Sequence, residues 1–242
     1  MLTGMINLRG MGARCAVAIA VGALLTAGCG TDDDSAGGPT SAPSTPREQL
    51  LLAQDEFPAG SSKVDLPQDR IDTMSADLAG AGRDATFTPQ ECTGVQQDLG
   101  VAMKELFGRS AVAAASGKSG VMYVEYVTEG VGDLRRIADL NERCAAYTYA
   151  ASFEGAQINA ESTIENRTAP AGLKGVEAIA YRSTSSSSVG GDAPLTMSEY
   201  SGIATLRGVT VMVRVTTLSD VADESAFTQL FTAAVDKVRK AA

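Results

Sequence analysis

The chain contains no histidine in 242 residues. That absence removes the Ser-His-Asp and Cys-His nucleophile systems and the usual zinc and copper sites. It also removes the side chain best suited to proton transfer near neutral pH. Four cysteines, six tyrosines and 29 acidic residues remain as groups with chemical capacity. Glu125, Glu177 and Glu199 fall on three predicted strands. There they would meet as a carboxylate cluster for acid–base work or, as strand charges commonly do, point outward into water. Gly117-Lys118-Ser119 has the ending of a phosphate-binding loop, but Val112 stands where that loop needs glycine, and a strand follows where a helix should. Residues 183–188 offer serine hydroxyls without a lysine at Ser-x-x-Lys spacing, and read as a flexible hairpin tip. Asn166-Arg167-Thr168 matches a glycosylation sequon, which is informative mainly in eukaryotic secretion. No catalytic residue, no metal site and no cofactor is expected.

The tyrosines carry more information. Tyr123, Tyr126, Tyr147, Tyr149, Tyr181 and Tyr200 all lie in predicted strands, where residues two apart share a face. Ordinary cross-strand packing would account for them. The functional alternative is an aromatic wall in a ligand cleft, with hydroxyls for orientation and Arg182 and Arg214 for an anionic group. The candidate ligand-binding set is Tyr123, Tyr149, Tyr181, Arg182, Tyr200 and Arg214.

Residues 1–28 have the three parts of an export signal. Arg9 and Arg14 make the n-region basic, and CAVAIAVGALLTA at 15–27 is apolar but too short to span a bilayer. The run ends in Leu25-Thr26-Ala27-Gly28-Cys29, which resembles the lipobox of bacterial lipoproteins, with Thr26 where an aliphatic residue is usual. The resemblance implies diacylglyceryl transfer to Cys29 and cleavage before it. Residues 29–47 follow as a polar tether rich in Gly, Ser, Thr, Pro and Asp. Asp32, Asp33 and Asp34 read as solvated tether charge. Cys15 leaves with the signal and Cys29 is used for lipid, so Cys92 and Cys144 are left to form one disulfide in an oxidising compartment.

The formal charge of −9 becomes −11 once the two signal arginines are removed. So acidic a chain is a poor nucleic-acid ligand, and anionic lipid repels it. Attachment to the outer face of the cell membrane must then come from the acyl anchor.

Residues 48–242 read as one domain. Thr88-Pro89-Gln90-Glu91 looks like a helix start, followed by Val95, Leu99, Ala102, Met103 and Leu106 at helical spacing. Asp133 caps a second helix carrying Leu134, Ile137, Ala138 and Asn141 on one side, and a third spans about 222–240. Strands are expected at 121–128, 145–153, 175–184, 195–206 and 209–216. In the last, Val209, Val211, Val213 and Val215 alternate with Thr210, Met212, Arg214 and Thr216, the mark of one buried face. Ile71, Met74 and Leu78 suggest a further short helix. The fold class is α+β: a single antiparallel sheet with helices packed on one face and one disulfide.

LLLAQDEFPAG at 50–60, TPQEC at 88–92 and ERCAAYTY at 142–149 give the chain a resemblance to small actinobacterial, mycobacterial-type surface lipoproteins of unknown function. Its layout over roughly 48–240 is similar to the extracellular sensor domain of PknH-type receptor kinases, with one cysteine pair where that domain has two. The resemblance implies a disulfide-stapled sheet with a cleft suited to a small ligand. The expectation is a non-enzymatic, membrane-anchored extracytoplasmic lipoprotein that binds a small apolar or amphipathic ligand, a lipid or envelope glycolipid. The alternative is a protein–protein interaction or envelope-assembly factor with an envelope protein partner and no ligand cavity.

Overall fold

A computed structural model describes residues 41–67, 69–71, 85–130, 132–153 and 156–242. The export signal, Cys29, most of the tether, Met74 and Leu78 lie outside the described residues. Among the described residues, nine strands form one antiparallel sheet: β1 (Ser62–Val64), β2 (Thr86–Thr88), β3 (Ala111–Ser116), β4 (Met122–Glu129), β5 (Ala146–Phe153), β6 (Ala156–Arg167), β7 (Glu177–Val189), β8 (Leu195–Leu206) and β9 (Val209–Thr217). Their spatial order is β1-β3-β4-β9-β8-β7-β6-β5-β2. The helices are α1 (Arg47–Leu50), α2 (Cys92–Gly108), α3 (Leu134–Arg143) and α4 (Glu224–Lys240). The α+β class, the single antiparallel sheet and the Cys92–Cys144 disulfide follow the expectation.

The central strands are apolar on both faces, and this distributes the helices. Val209, Val211, Val213 and Val215 pack under α4 with Phe227, Leu230, Phe231, Ala234, Val235 and Val238. Asp223 starts α4 by accepting from the Ala226 amide at 2.9 Å. Gly202 on β8 lets this helix close on the sheet. A Cβ there would lie 2.5 Å from the Phe231 ring and 2.9 Å from Phe227. The intervening residues of β9 are not a wet face. Thr210 and Met212 are as buried as the valines, because α2 and α3 cover the other side of the sheet. Helices therefore lie on both faces, α4 on one and the α2–α3 pair on the other.

Two local readings change. Thr88 belongs to β2, paired with Thr148, so α2 starts at Cys92 and not at a Thr88 cap. The serine run is no loop: residues 183–188 continue β7, paired with β6 on one side and β8 on the other, and the turn is made by Gly190 and Gly191 at positive φ. The Asp133 cap on α3 is present, accepting from the Arg136 amide at 3.0 Å.

The disulfide joins the first residue of α2 to the residue after α3, closing a sequence separation of 52. In the chain-entropy picture a loop of that size stabilises by ~4 kcal/mol. The last tether residues are also fastened. Ser44 donates its amide to the Ala242 carbonyl at 2.7 Å, and Arg207 donates to the carbonyls of Ser41 and Ala241.

Candidate functional site

Between the α2–α3 pair and the sheet lies a cavity of about 730 Å³. The two helices run in opposite directions. The disulfide clasps the start of α2 to the end of α3, while Phe107 near the end of α2 sits in one cluster with Leu134 at the start of α3. Leu99, Leu106, Phe107, Leu134, Ile137 and Leu140 form its helical wall. Met212, Ile203, Ile164, Tyr147, Tyr181 and Arg214 supply the sheet side. Glycines and charges, among them Arg109, Glu129, Gly130, Gly132 and Asp133, border it where α2 ends and α3 begins. Asp98 on α2 and Arg136 on α3 reach across the gap at 3.5 Å, both well exposed, an ion pair that contributes little to stability.

The floor holds one charge pair. Arg214 meets Glu199 at 2.5 Å, and the same carboxylate accepts from Ser201 at 2.6 Å and Thr216 at 3.0 Å. Burial alone would raise the Glu199 carboxyl. The Arg214 charge and these hydrogen bonds outweigh that and hold it below the usual carboxylate range. Arg214 also hydrogen-bonds the Tyr126 hydroxyl, whose ring packs on Phe107 with centroids 4.7 Å apart. Protein surrounds Arg214, yet 31% of its side chain is accessible because it borders the cavity. Burial pushes the Tyr181 and Tyr147 hydroxyls up, so both are neutral donors at pH 7.

The six candidate ligand residues divide. Tyr181 and Arg214 line the cavity. Tyr149 is on the same face but packs beside Phe87 on the β2–β5 side, with centroids 5.9 Å apart. Tyr123 and Tyr200 are on the opposite face, in the core under α4. Tyr200 stacks on Phe227 and donates to Glu224 at 3.0 Å, and the Tyr123 ring closes against Gly117. Arg182 shares that face and donates to the Asp220 carbonyl at 2.7 Å.

Glu125, Glu177 and Glu199 do not gather. Glu125 is buried in the α4-side layer, where its Oε2 accepts from the Leu52 amide at 2.7 Å. Glu199 faces the cavity side, and Glu177 is exposed at the start of β7. Neither buried carboxylate is the outward strand charge that a strand position suggests. Asn166 of the sequon is committed to α3, donating to the Ala138 carbonyl at 3.0 Å and accepting from Asn141 at 3.2 Å. Lys118 begins a single 3-10 turn.

Sequence reasoning found the α3 stripe that builds one wall, but not Tyr147, Met212 and Ile203 as lining or Glu199 as the partner of Arg214. The parity of β9 placed Arg214 and Met212 on one face. What covers that face is set by packing between distant segments.

No family model and no curated protein matches the chain. Among solved structures, the chain has a distant likeness to an uncharacterized protein from Mycobacterium smegmatis, the Rv0999 ortholog. The two are 14% identical, with a TM-score of 0.42, over 80% of this chain and 97% of that one. What the comparisons give is a loose similarity to a mycobacterial protein of unknown function.

Proposed function

We propose that this chain is a membrane-anchored extracytoplasmic lipoprotein that binds a small amphipathic ligand, a lipid or envelope glycolipid, in the cavity under α2 and α3, without catalysis. The cavity is the observation that carries the reading. Its 730 Å³ fall inside the ~300–1,000 Å³ range of small-molecule sites, with apolar walls and a few polar groups at fixed positions. The residues around it supply no nucleophile with an adjacent base, and the one buried carboxylate on that face is saturated by Arg214, Ser201 and Thr216.

Two features support a lipid source. The signal and Cys29 would hold the domain at the outer face of the cell membrane. The chain arriving from Cys29 meets the cavity rim: Arg47 donates to the Arg109 carbonyl and lies 3.8 Å from Glu129, both rim residues. The last residue of the tether is thus fastened to the cavity border.

Each half has its own test. A clickable fatty acid fed to the producing cells should label the parent and not Cys29→Ala; equal labelling of both removes the anchor. A soluble form comprising residues 41–242, titrated with envelope lipid extract, should show a rising thermal midpoint, since a ligand that binds only the folded state stabilises it by mass action. No shift with any lipid fraction would favour the interaction-factor reading.

A further inference from the structure

Resting on the cavity reading, we infer that the ligand's buried polar end is a neutral hydrogen-bond acceptor, such as an ester or amide carbonyl, and not a carboxylate or phosphate. Arg214 presents five N–H groups and no acceptor, and its partners are the Glu199 carboxylate and the Tyr126 hydroxyl. Its side chain is 31% accessible where it borders the cavity, so a ligand oxygen can reach it and take a remaining N–H.

The charge of Arg214 is already answered. Glu199 lies 2.5 Å away and stays ionised, so the floor is neutral before any ligand enters. A ligand carboxylate would add a second anion beside Glu199, and like charges that close disfavour each other's ionised form. Other charges do not restore a positive field: Arg136 is paired with Asp98, Arg47 lies by Glu129, and Arg109 and Asp133 both stand at the rim. A neutral oxygen takes the hydrogen bond without that cost, while its hydrocarbon lies against Leu99, Phe107, Leu134, Ile137 and Met212. Arg214 thus becomes a selector for uncharged amphiphiles, the reverse of the anion contact its type suggests.

The test is a competition on the full chain, purified in non-ionic detergent and examined by native mass spectrometry at pH 7.5. Equal concentrations of 1-monopalmitoylglycerol and palmitate are added. The parent should carry the glycerol ester in roughly tenfold excess over palmitate or more, the ratio for ~1.4 kcal/mol of discrimination. In Glu199→Gln, Arg214 is left uncompensated, and the preference should swing toward palmitate. Equal or greater palmitate occupancy in the parent overturns the neutral-acceptor inference and leaves the cavity reading standing. No adduct of either probe overturns the cavity reading and the inference together. Should Glu199→Gln fail to fold, judged by circular dichroism, the parent's ratio decides alone.

Discussion

Glu125→Gln is expected to unfold at a higher temperature than the parent at pH 8.5 and at nearly the same temperature at pH 5. Glu125 is fully buried below the segment that follows α1, and burial pushes its carboxyl up to about 8. The Leu52 amide donates to Oε2, while Oε1 has no partner. The charged neighbours are Lys237, which lowers it, and Glu56, which raises it, and these are themselves paired at 2.5 Å. Because the folded-state value lies above the ordinary one of 4.5, the folded protein binds the extra proton between the two. Stability is therefore fully present below about pH 4.5 and falls as pH rises toward about 8. At about 1.4 kcal/mol per unit, the loss is on the order of 5 kcal/mol by pH 8.5. Glutamine mimics the protonated acid, since its carbonyl still accepts from Leu52, so the slope should flatten. Glu199 does not blur this window, because its carboxyl is held low. Urea unfolding at pH 5, 7 and 8.5 is the check. A parent whose stability is unchanged across that range would refute the burial account of Glu125.

This carboxylate also marks where sequence reading stopped. Glu125 sits in VMYVEYVT, and β4 was legible from its β-branched and aromatic residues. The alternation puts Glu125 with Tyr123 and Val127 on one face, but it takes the distant segment carrying Leu50, Leu52 and Phe57, together with α4, to make that face dry. The same holds for β9, whose alternation was plain although both of its faces are covered. β3, AVAAAS, and β6, AQINAESTIENR, escaped notice. Alanine and exposed Asn and Glu carry weak strand propensity, and pairing on both sides holds these segments extended. The run from Ser183 to Ser188 is the sharpest case, a strand by backbone pairing in a composition that suggests a loop. Elements with strong local signals were readable: α4 with its apolar stripe, α3 with the Asp133 cap, and the two cysteines left once Cys15 and Cys29 are assigned. Of the site, Arg214 and Tyr181 were singled out. Tyr123 and Tyr200 went to the opposite face because strand parity alternates sides, and the face that keeps a cavity is chosen by where α2 and α3 dock.

Filling the cavity should have the largest functional effect. Ile137 lies on the α3 wall, half-buried and facing the space that Leu134, Phe107 and Met212 also border. In Ile137→Trp the indole would occupy volume that a ligand needs, while adding apolar contact to a wall that has room for it. Folding should survive, as circular dichroism would report. Protein purified from the producing cells through non-ionic detergent, then denatured and extracted, gives the most direct measurement of the central claim. The account predicts close to one equivalent of an uncharged amphiphile from the parent and a loss of at least tenfold from Ile137→Trp. Equal recovery from a folded Ile137→Trp, or no amphiphile from the parent, would contradict the claim that this cavity is a ligand site.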